Sequence, residues 1–308
     1  FWVNIPVGLI AILLTLRFIP ESKAPRPRRF DPVGQVLVLV MLASVTYGII
    51  EGPNLGWTSP VILSAFIASA LSLAGLIVYE PRRGEPLIDL RFFKSIPFSS
   101  SIVILIAAFA AFGGFLFLST LYLQEVRNLS PVHAGLVTVP MAMMLVAFSP
   151  ISGRMVGRRG PRLPLLISGV CSIVACVMLT GLDEGTSYTW LIAAYVVFGI
   201  GMGFVNAPVT NAAVSGMPRA QAGVASAIAT TSRQFGQTIG VAVIGAIVAS
   251  GAGGTVSAEL TSASVPAWWT LAAFGAAVLV FGLVATSRRA ERSAHRTATA
   301  LNPEALAE

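Results

Sequence analysis

Nine apolar stretches of about 18 residues or more, each bounded by Pro, Gly or charge, run through the chain and leave it few folds to choose from. They cover roughly residues 1 to 19, 33 to 51, 60 to 79, 99 to 123, 133 to 152, 163 to 182, 189 to 211, 222 to 249 and 267 to 286. A helix rising 1.5 Å per residue needs about 20 residues to cross a hydrocarbon core about 30 Å thick, so each stretch is of crossing length. Within lipid only helices and closed barrels satisfy every backbone N–H and C=O, and barrel strands are half as long and alternate in polarity. The predicted fold class is therefore an all-α polytopic membrane protein. The charge content agrees: 11% of the 308 residues are charged, against roughly 25% in soluble domains, too few to cover a water-facing surface. A soluble enzyme is disfavoured on that ground.

The basic residues supply an independent check, because Lys and Arg near helix ends collect on the cytoplasmic side. If nine helices cross, the gaps between them alternate in side. One set of alternate gaps, with the tail, holds Arg17 to Arg29, Arg82 to Lys94, Arg154 to Arg162, Arg219 and Arg288 to Arg296, which is 18 of the 20 basic residues. The other set holds Arg127 alone, and Arg233 lies inside a crossing. A wrong helix count would scramble this alternation. The predicted orientation puts residue 1 outside and the C-terminus in the cytoplasm of a cell whose inner (plasma) membrane the chain spans. The net charge of +7 is then topology rather than a nucleic-acid footprint.

PNLGWTS, DEGTSYTW and the Gly/Ser/Ala stretch 250 to 265 are predicted extracellular gaps. Trp57, Trp190, Trp268 and Trp269 near those ends read as an interfacial belt. The longest charged gap, YEPRRGEPLIDLRFFKSI at 80 to 97, is expected to lie along the membrane as an amphipathic segment. The polar tail after Arg288 is expected to fray into solution. Cys171 and Cys176, five apart in an apolar run, face different ways on a helix and give no disulfide or metal reading. FWVNIPVG opens inside an apolar run with no initiator Met, basic n-region or cleavage site, so the chain is expected to begin within a longer polypeptide.

Several ordered motifs resemble the C-terminal half of a major facilitator superfamily transporter, and most closely its fourteen-helix drug:proton antiporter branch, the EmrB/QacA-type exporters. PLIDLRFFKSIPF at 86 to 98 resembles that branch's entry into the second half. LYLQEVRNLSPVHAGLVTVP at 121 to 140 resembles its LYLQ, SP and AGL signature, and GIGMGFVNAPVTNAAVSGMPRAQAGVASAI and RQFGQTIGVAVIG follow in the family's order. FWVNIPVG resembles the start of its sixth helix. The resemblance implies residues 1–19 as the sixth helix, 20–97 as two linker helices with cytoplasmic loops, 98–287 as the C-terminal six-helix bundle and 288–308 as a cytoplasmic tail. It further implies a partial major facilitator fold whose first five helices are absent, so that this polypeptide alone does not transport. The implied activity is efflux of drugs or other small amphipathic compounds by alternating access, coupled to protons, with the N-terminal half as partner and no cofactor. Export of a specific metabolite and a non-transporting receptor or scaffold of the same fold stay open as alternatives. The cytoplasmic G-x-x-x-D-R-x-G-x-R loop of the family appears as Gly153, Arg154, Met155, Val156, Gly157, Arg158, Arg159, Gly160, Pro161, Arg162. Gly157 replaces the acid, while the glycines suit a tight turn and the arginines suit helix C-termini, where the macrodipole favours cations.

Arg233 is the sharpest single residue. It lies about 16 Å into its crossing, near the bilayer centre, where a cation normally faces a bundle interior or a wet cavity. Two readings are open: a cavity cation that binds anionic substrate groups or answers protonation of a carboxylate in the other half, and a buried Arg that fixes helix packing. Gln234 and Gln237 supply polar atoms beside it, on partly different faces. Asn206, on a crossing that the family resemblance implies lines the central cavity, is a substrate candidate or an interhelical hydrogen-bonding residue. Phe109 and Phe112 approximate one helical face, either as cavity wall for aromatic or cationic compounds or as lipid-facing aromatics. No acid lies mid-crossing; Glu51 and Glu125 are the acids placed to serve at an outer mouth. His133 and His295 sit at a helix start and in the tail, away from any relay. Gly199 to Gly203 and Gly236 to Gly240 read as small-residue helix contacts, and Pro140, Pro150 and Pro208 as kink points. No catalytic triad, paired-carboxylate or metal-ligand set occurs at a shared depth, which argues against an enzyme.

Overall fold

The computed structural model describes residues 2, 4–18, 31–83, 89–214, 222–251 and 256–301, and divides into two units, 1–32 and 33–308. Among the described residues each of the nine apolar stretches is mainly helical, and no strand occurs. In the first unit α1 (Asn4–Phe18) is a 15-residue apolar helix ending in Arg17. The second unit holds α2 (Pro32–Leu55), α3 (Pro60–Tyr79), α4 (Ile96–Leu121), α5 (Pro131–Arg159), α6 (Arg162–Met178), α7 (Tyr188–Gly203), α8 (Asn206–Val214), α9 (Ala222–Gly251), α10 (Val256–Ala285) and α11 (Arg288–Leu301). Among the described residues, six helices are long and apolar enough to cross a membrane: Pro32–Leu55, Pro60–Arg82, Ile96–Val126, Pro131–Arg159, Tyr188–Ala213 and Thr261–Ala285. Asn4–Phe18 and Arg162–Met178 are apolar but shorter. The 30-residue α9 has the length, and its polar middle, TTSRQFGQT, keeps it out of that set.

α2 and α3 form a hairpin. Gly56 takes the left-handed φ of +85° that the turn needs, and Ser59 then caps α3 by accepting from the Ile62 N–H, with Pro60 in the first turn. The Ser69 hydroxyl donates to the Met41 carbonyl at 3.0 Å, which ties the two helices together. In the bundle α4 is central, packing along α9 and α10, while α6 joins α10 to α7 and α7 lies on α5. Its core is aromatic. Phe115 of α4 stacks on Phe198 of α7 with ring centroids 3.9 Å apart, and meets Tyr195 and Trp268 edge-on at 5.4 and 5.5 Å.

Trp268 corrects one expectation: it is 1% exposed and belongs to this core, while Trp57, Trp190 and Trp269 are exposed. A 100° step per residue separates Trp268 from Trp269, so one faces α4 and the other faces out. A second correction concerns the gap at 250 to 265, since α10 already begins at Val256. A third concerns the tail, whose described part forms α11, Arg288–Leu301, while residues 302–308 lie outside the described residues. The stretch from 189 to 211 is also broken, at Phe204 and Val205, where α7 gives way to α8. Pro208 has no N–H to continue the ladder, and the buried Ser152 of α5 donates to the Phe204 carbonyl at 3.3 Å, satisfying an acceptor the break exposes. Part of the amphipathic segment at 80 to 97, residues 84–88, lies outside the described residues. Its described end forms a short 3₁₀ turn, Leu90–Lys94, that buries Phe92 and leaves Phe93 exposed.

At one end of the bundle, a π-helical turn, Tyr122–Val126, extends α4 and delivers Arg127 to the loop between α6 and α7. Arg127 donates to the Thr186 carbonyl at 2.6 Å and lies 4.6 Å from the Tyr188 ring centroid. The Tyr122 hydroxyl donates to the Asp183 carbonyl at 2.7 Å. Hydrogen bonding to Tyr122 pushes the Arg127 pKa up further, so the clamp carries its charge throughout the usable pH range. Arg127→Ala is expected to lower bundle stability by about 1–3 kcal/mol, the cost of a charged hydrogen bond left unmade, read as an earlier thermal unfolding transition in detergent.

Candidate substrate site on the polar face of α9

The seam between α4 and α9 sets the rotation of α9. A Cβ on Gly236 would stand 2.5 Å from the Ile106 carbonyl oxygen, and one on Gly113 would stand 2.6 Å from that of Gln237. A Cβ on Gly240 would fall onto the Ala110 carbonyl. Only glycine lets the two backbones meet this closely, as the sequence spacing predicts. With Gly236 and Gly240 turned to α4, Arg233 comes to the flank of the seam, facing α8.

There the guanidinium is held at two points. Nη1 donates to Asn206 Oδ1 at 3.3 Å, and Nη2 donates to Thr230 Oγ1 at 3.0 Å. Asn206 reaches Arg233 because the break at Phe204 and Val205 places it at the first position of α8. Thr230 lies one turn before Arg233 on the same flank of α9; it escaped the sequence reading although its spacing of three was visible. Two of five N–H donors are used, leaving three for water or an anionic group. No carboxylate among the described residues lies within 4 Å of Arg233. Asn211 is exposed and makes no side-chain bond to Arg233.

Gln234 and Gln237 line a neighbouring space rather than the Arg233 contact. A cavity of about 640 Å³ lies between α9, Phe117 of α4 and the end of α2, where Ile50, Pro53 and Asn54 form its far wall. Gly245, Ala246 and Ala249 leave the room. The volume falls in the range of small-molecule pockets, roughly 300–1,000 Å³. Phe117 and Asn54 are further residues not singled out from the sequence. Phe109 and Phe112 meet edge-to-face at 6.2 Å, half-buried against the core, and do not line this cavity. Phe115, three residues after Phe112 on α4, is fully buried in the core.

The motif at 153 to 162 is mostly helix. α5 runs through Gly153 and Gly157 to Arg159, and the turn is confined to Gly160, at φ +76°, and Pro161 before Arg162 opens α6. Arg158 and Arg159 occupy the last turn of α5, where the macrodipole favours cations. Arg154, Arg158 and Arg159 border a cavity of about 300 Å³ with Ile151 and Met155.

The bundle of apolar, membrane-length helices thus holds a cation beside the α4–α9 seam and a cavity of small-molecule size. Residues 1–241 match the Major Facilitator Superfamily, and the chain belongs to that family of membrane transporters. It is 34% identical over 263 residues to Multidrug resistance protein Stp of Mycobacterium tuberculosis, covering 85% of this chain and 49% of that protein. The Tetracenomycin C resistance and export protein of Streptomyces glaucescens is 33% identical over 269 residues, 86% of this chain and 50% of that protein. Multidrug efflux pump LfrA of Mycolicibacterium smegmatis is 31% identical over 251 residues, 80% of this chain and 49% of that protein. The chain thus spans about half the length of the curated relatives it matches.

Proposed function

We propose that the chain supplies the linker helices and C-terminal six-helix bundle of a fourteen-helix, proton-coupled exporter of drugs or other small amphipathic compounds. It works by alternating access against an N-terminal half, in the inner (plasma) membrane, with residue 1 on the extracellular side and the C-terminus in the cytoplasm. Rocking of one bundle against the other opens a site near the bilayer midplane first to one side and then to the other. Arg233, in the hands of Asn206 and Thr230, is the residue that carries this reading. A cation held by neutral groups keeps its charge available to an anionic substrate group or to a carboxylate of the facing half that loses and regains a proton. Gln234 and Gln237 are proposed to supply polar contacts to substrate from the neighbouring cavity, and Phe109 and Phe112 aromatic contacts from α4. Gly153, Arg154, Arg158, Gly160 and Arg162 are proposed as the cytoplasmic gate. Ethidium efflux from cells carrying the full-length transporter tests the reading, with collapse of the proton gradient expected to stop it.

The name of the Streptomyces glaucescens relative favours a second reading, export of a particular natural product. In that case the reconstituted full-length transporter moves one polyaromatic metabolite and leaves structurally unrelated dyes untouched.

A further inference from the structure

The last helix among the described residues, α11, follows α10 after a two-residue turn. Three Cα steps of at most about 3.6 Å place Arg288 within about 11 Å of the end of α10, against a Debye length of about 10 Å at 0.1 M salt. α11 is pinned there. The Ser293 hydroxyl oxygen accepts from the Ile96 N–H at 3.0 Å, at the start of α4, and Ala290, Ala294 and Thr297 are buried. At 100° per residue, Arg288, Arg289, Arg292, His295 and Arg296 share an arc of about 120° on the opposite face, and all five are exposed. Glu291, the acid of α11 among the described residues, falls outside that arc. None of the four arginines has an ion-pair partner among the described residues. Lys94, exposed on the 3₁₀ turn that α11 touches, adds to the same end of the molecule.

We propose that this basic face, with Lys94, binds the phosphate groups of anionic phospholipids in the leaflet beside α10. The apolar side of α11 is spent on the protein, so the attraction is electrostatic rather than by insertion. A helix tethered this near the end of a crossing, with arginines that have no ion-pair partner among the described residues turned away from the protein, has the leaflet as a nearby anionic partner. The proposal rests on the reading that α10 crosses the membrane.

The test uses the full-length transporter with Cys171→Ser and Cys176→Ala, reconstituted in phosphatidylcholine vesicles with or without phosphatidylglycerol. A donor fluorophore on His295→Cys reports, by energy transfer, how far headgroup-labelled phosphatidylglycerol is enriched over labelled phosphatidylcholine around α11. Enrichment is expected, falling about fivefold for each arginine changed to Gln, so that a variant with Arg288, Arg289, Arg292 and Arg296 all changed to Gln shows none. One molar salt is expected to abolish it too. Equal transfer from both lipids, or enrichment unchanged in the fourfold variant, would overturn the proposal. A second label on the exposed Val280→Cys, quenched by mid-chain nitroxide lipid, reads the crossing of α10 separately. Quenching there without enrichment at α11 sinks the lipid site alone; no quenching sinks both.

Discussion

Arg233→Ala in the full-length transporter is expected to cut efflux by about tenfold to hundredfold while the protein still inserts and purifies as a folded monodisperse species. The range is that of a lost charge-assisted hydrogen bond of about 1.5–3 kcal/mol. The two readings of this residue separate on a companion substitution. If Arg233 only fixes α9 against α8, then Asn206→Asp strengthens the 3.3 Å contact into an ion pair and leaves transport intact. If the cation serves substrate or proton, Asn206→Asp neutralises it in place and lowers efflux nearly as far as Arg233→Ala. Arg233→Lys keeps the charge but loses the planar fork that spans Asn206 and Thr230, and intermediate activity is expected. Dye efflux at equal surface expression measures all three. Wild-type efflux by Arg233→Ala would make the residue structural at most.

A second large effect separates glycines that look alike in the sequence. Gly240→Ala sets a methyl against the Ala110 carbonyl, a backbone atom that cannot swing aside. The α4 and α9 helices must part along the seam that also orients Arg233. A loss of about 3 kcal/mol is expected, at the upper end of the usual cost of overpacking, with efflux failing alongside. Gly157→Ala is expected to act in the opposite sense. Its Cβ meets nothing within 4 Å, and it lies inside α5, where glycine costs roughly 0.5–1 kcal/mol relative to alanine. Thermal unfolding in detergent should therefore move down for Gly240→Ala and up slightly for Gly157→Ala. Equal shifts would mean that α4 and α9 do not touch as described.

The helices were legible because a stretch of about 20 apolar residues has few alternatives in lipid. That a neighbouring helix comes close to α9 was legible in Gly236 and Gly240, one turn apart, though not that this helix is α4. What the sequence hid was tertiary. Phe204 and Val205 are ordinary apolar residues; Pro208, four residues on, reads as a kink point, but that the helix breaks outright at 204 and 205 depends also on Ser152 from another helix. The tail reads as polar and soluble by composition, yet Ala290, Ala294 and Thr297 make a narrow packing stripe that has meaning only beside α4. Trp268 and Trp269 are indistinguishable by type, and their separation into core and surface needed the helix phase. The split between Arg233, facing α8, and Gln234 and Gln237, facing the α2 cavity, likewise turned on that phase. The Asn206 partner lies 27 residues away in sequence, beyond any local rule.

The whole scheme depends on cationic flanks that share the cytosolic side, and impermeant thiol labelling of intact cells tests this most directly. In the full-length transporter freed of Cys171 and Cys176, the nine-crossing topology predicts that Glu184→Cys is labelled from outside and that Arg158→Cys is labelled only after the cells are opened. Labelling of Arg158→Cys in intact cells would contradict the topology.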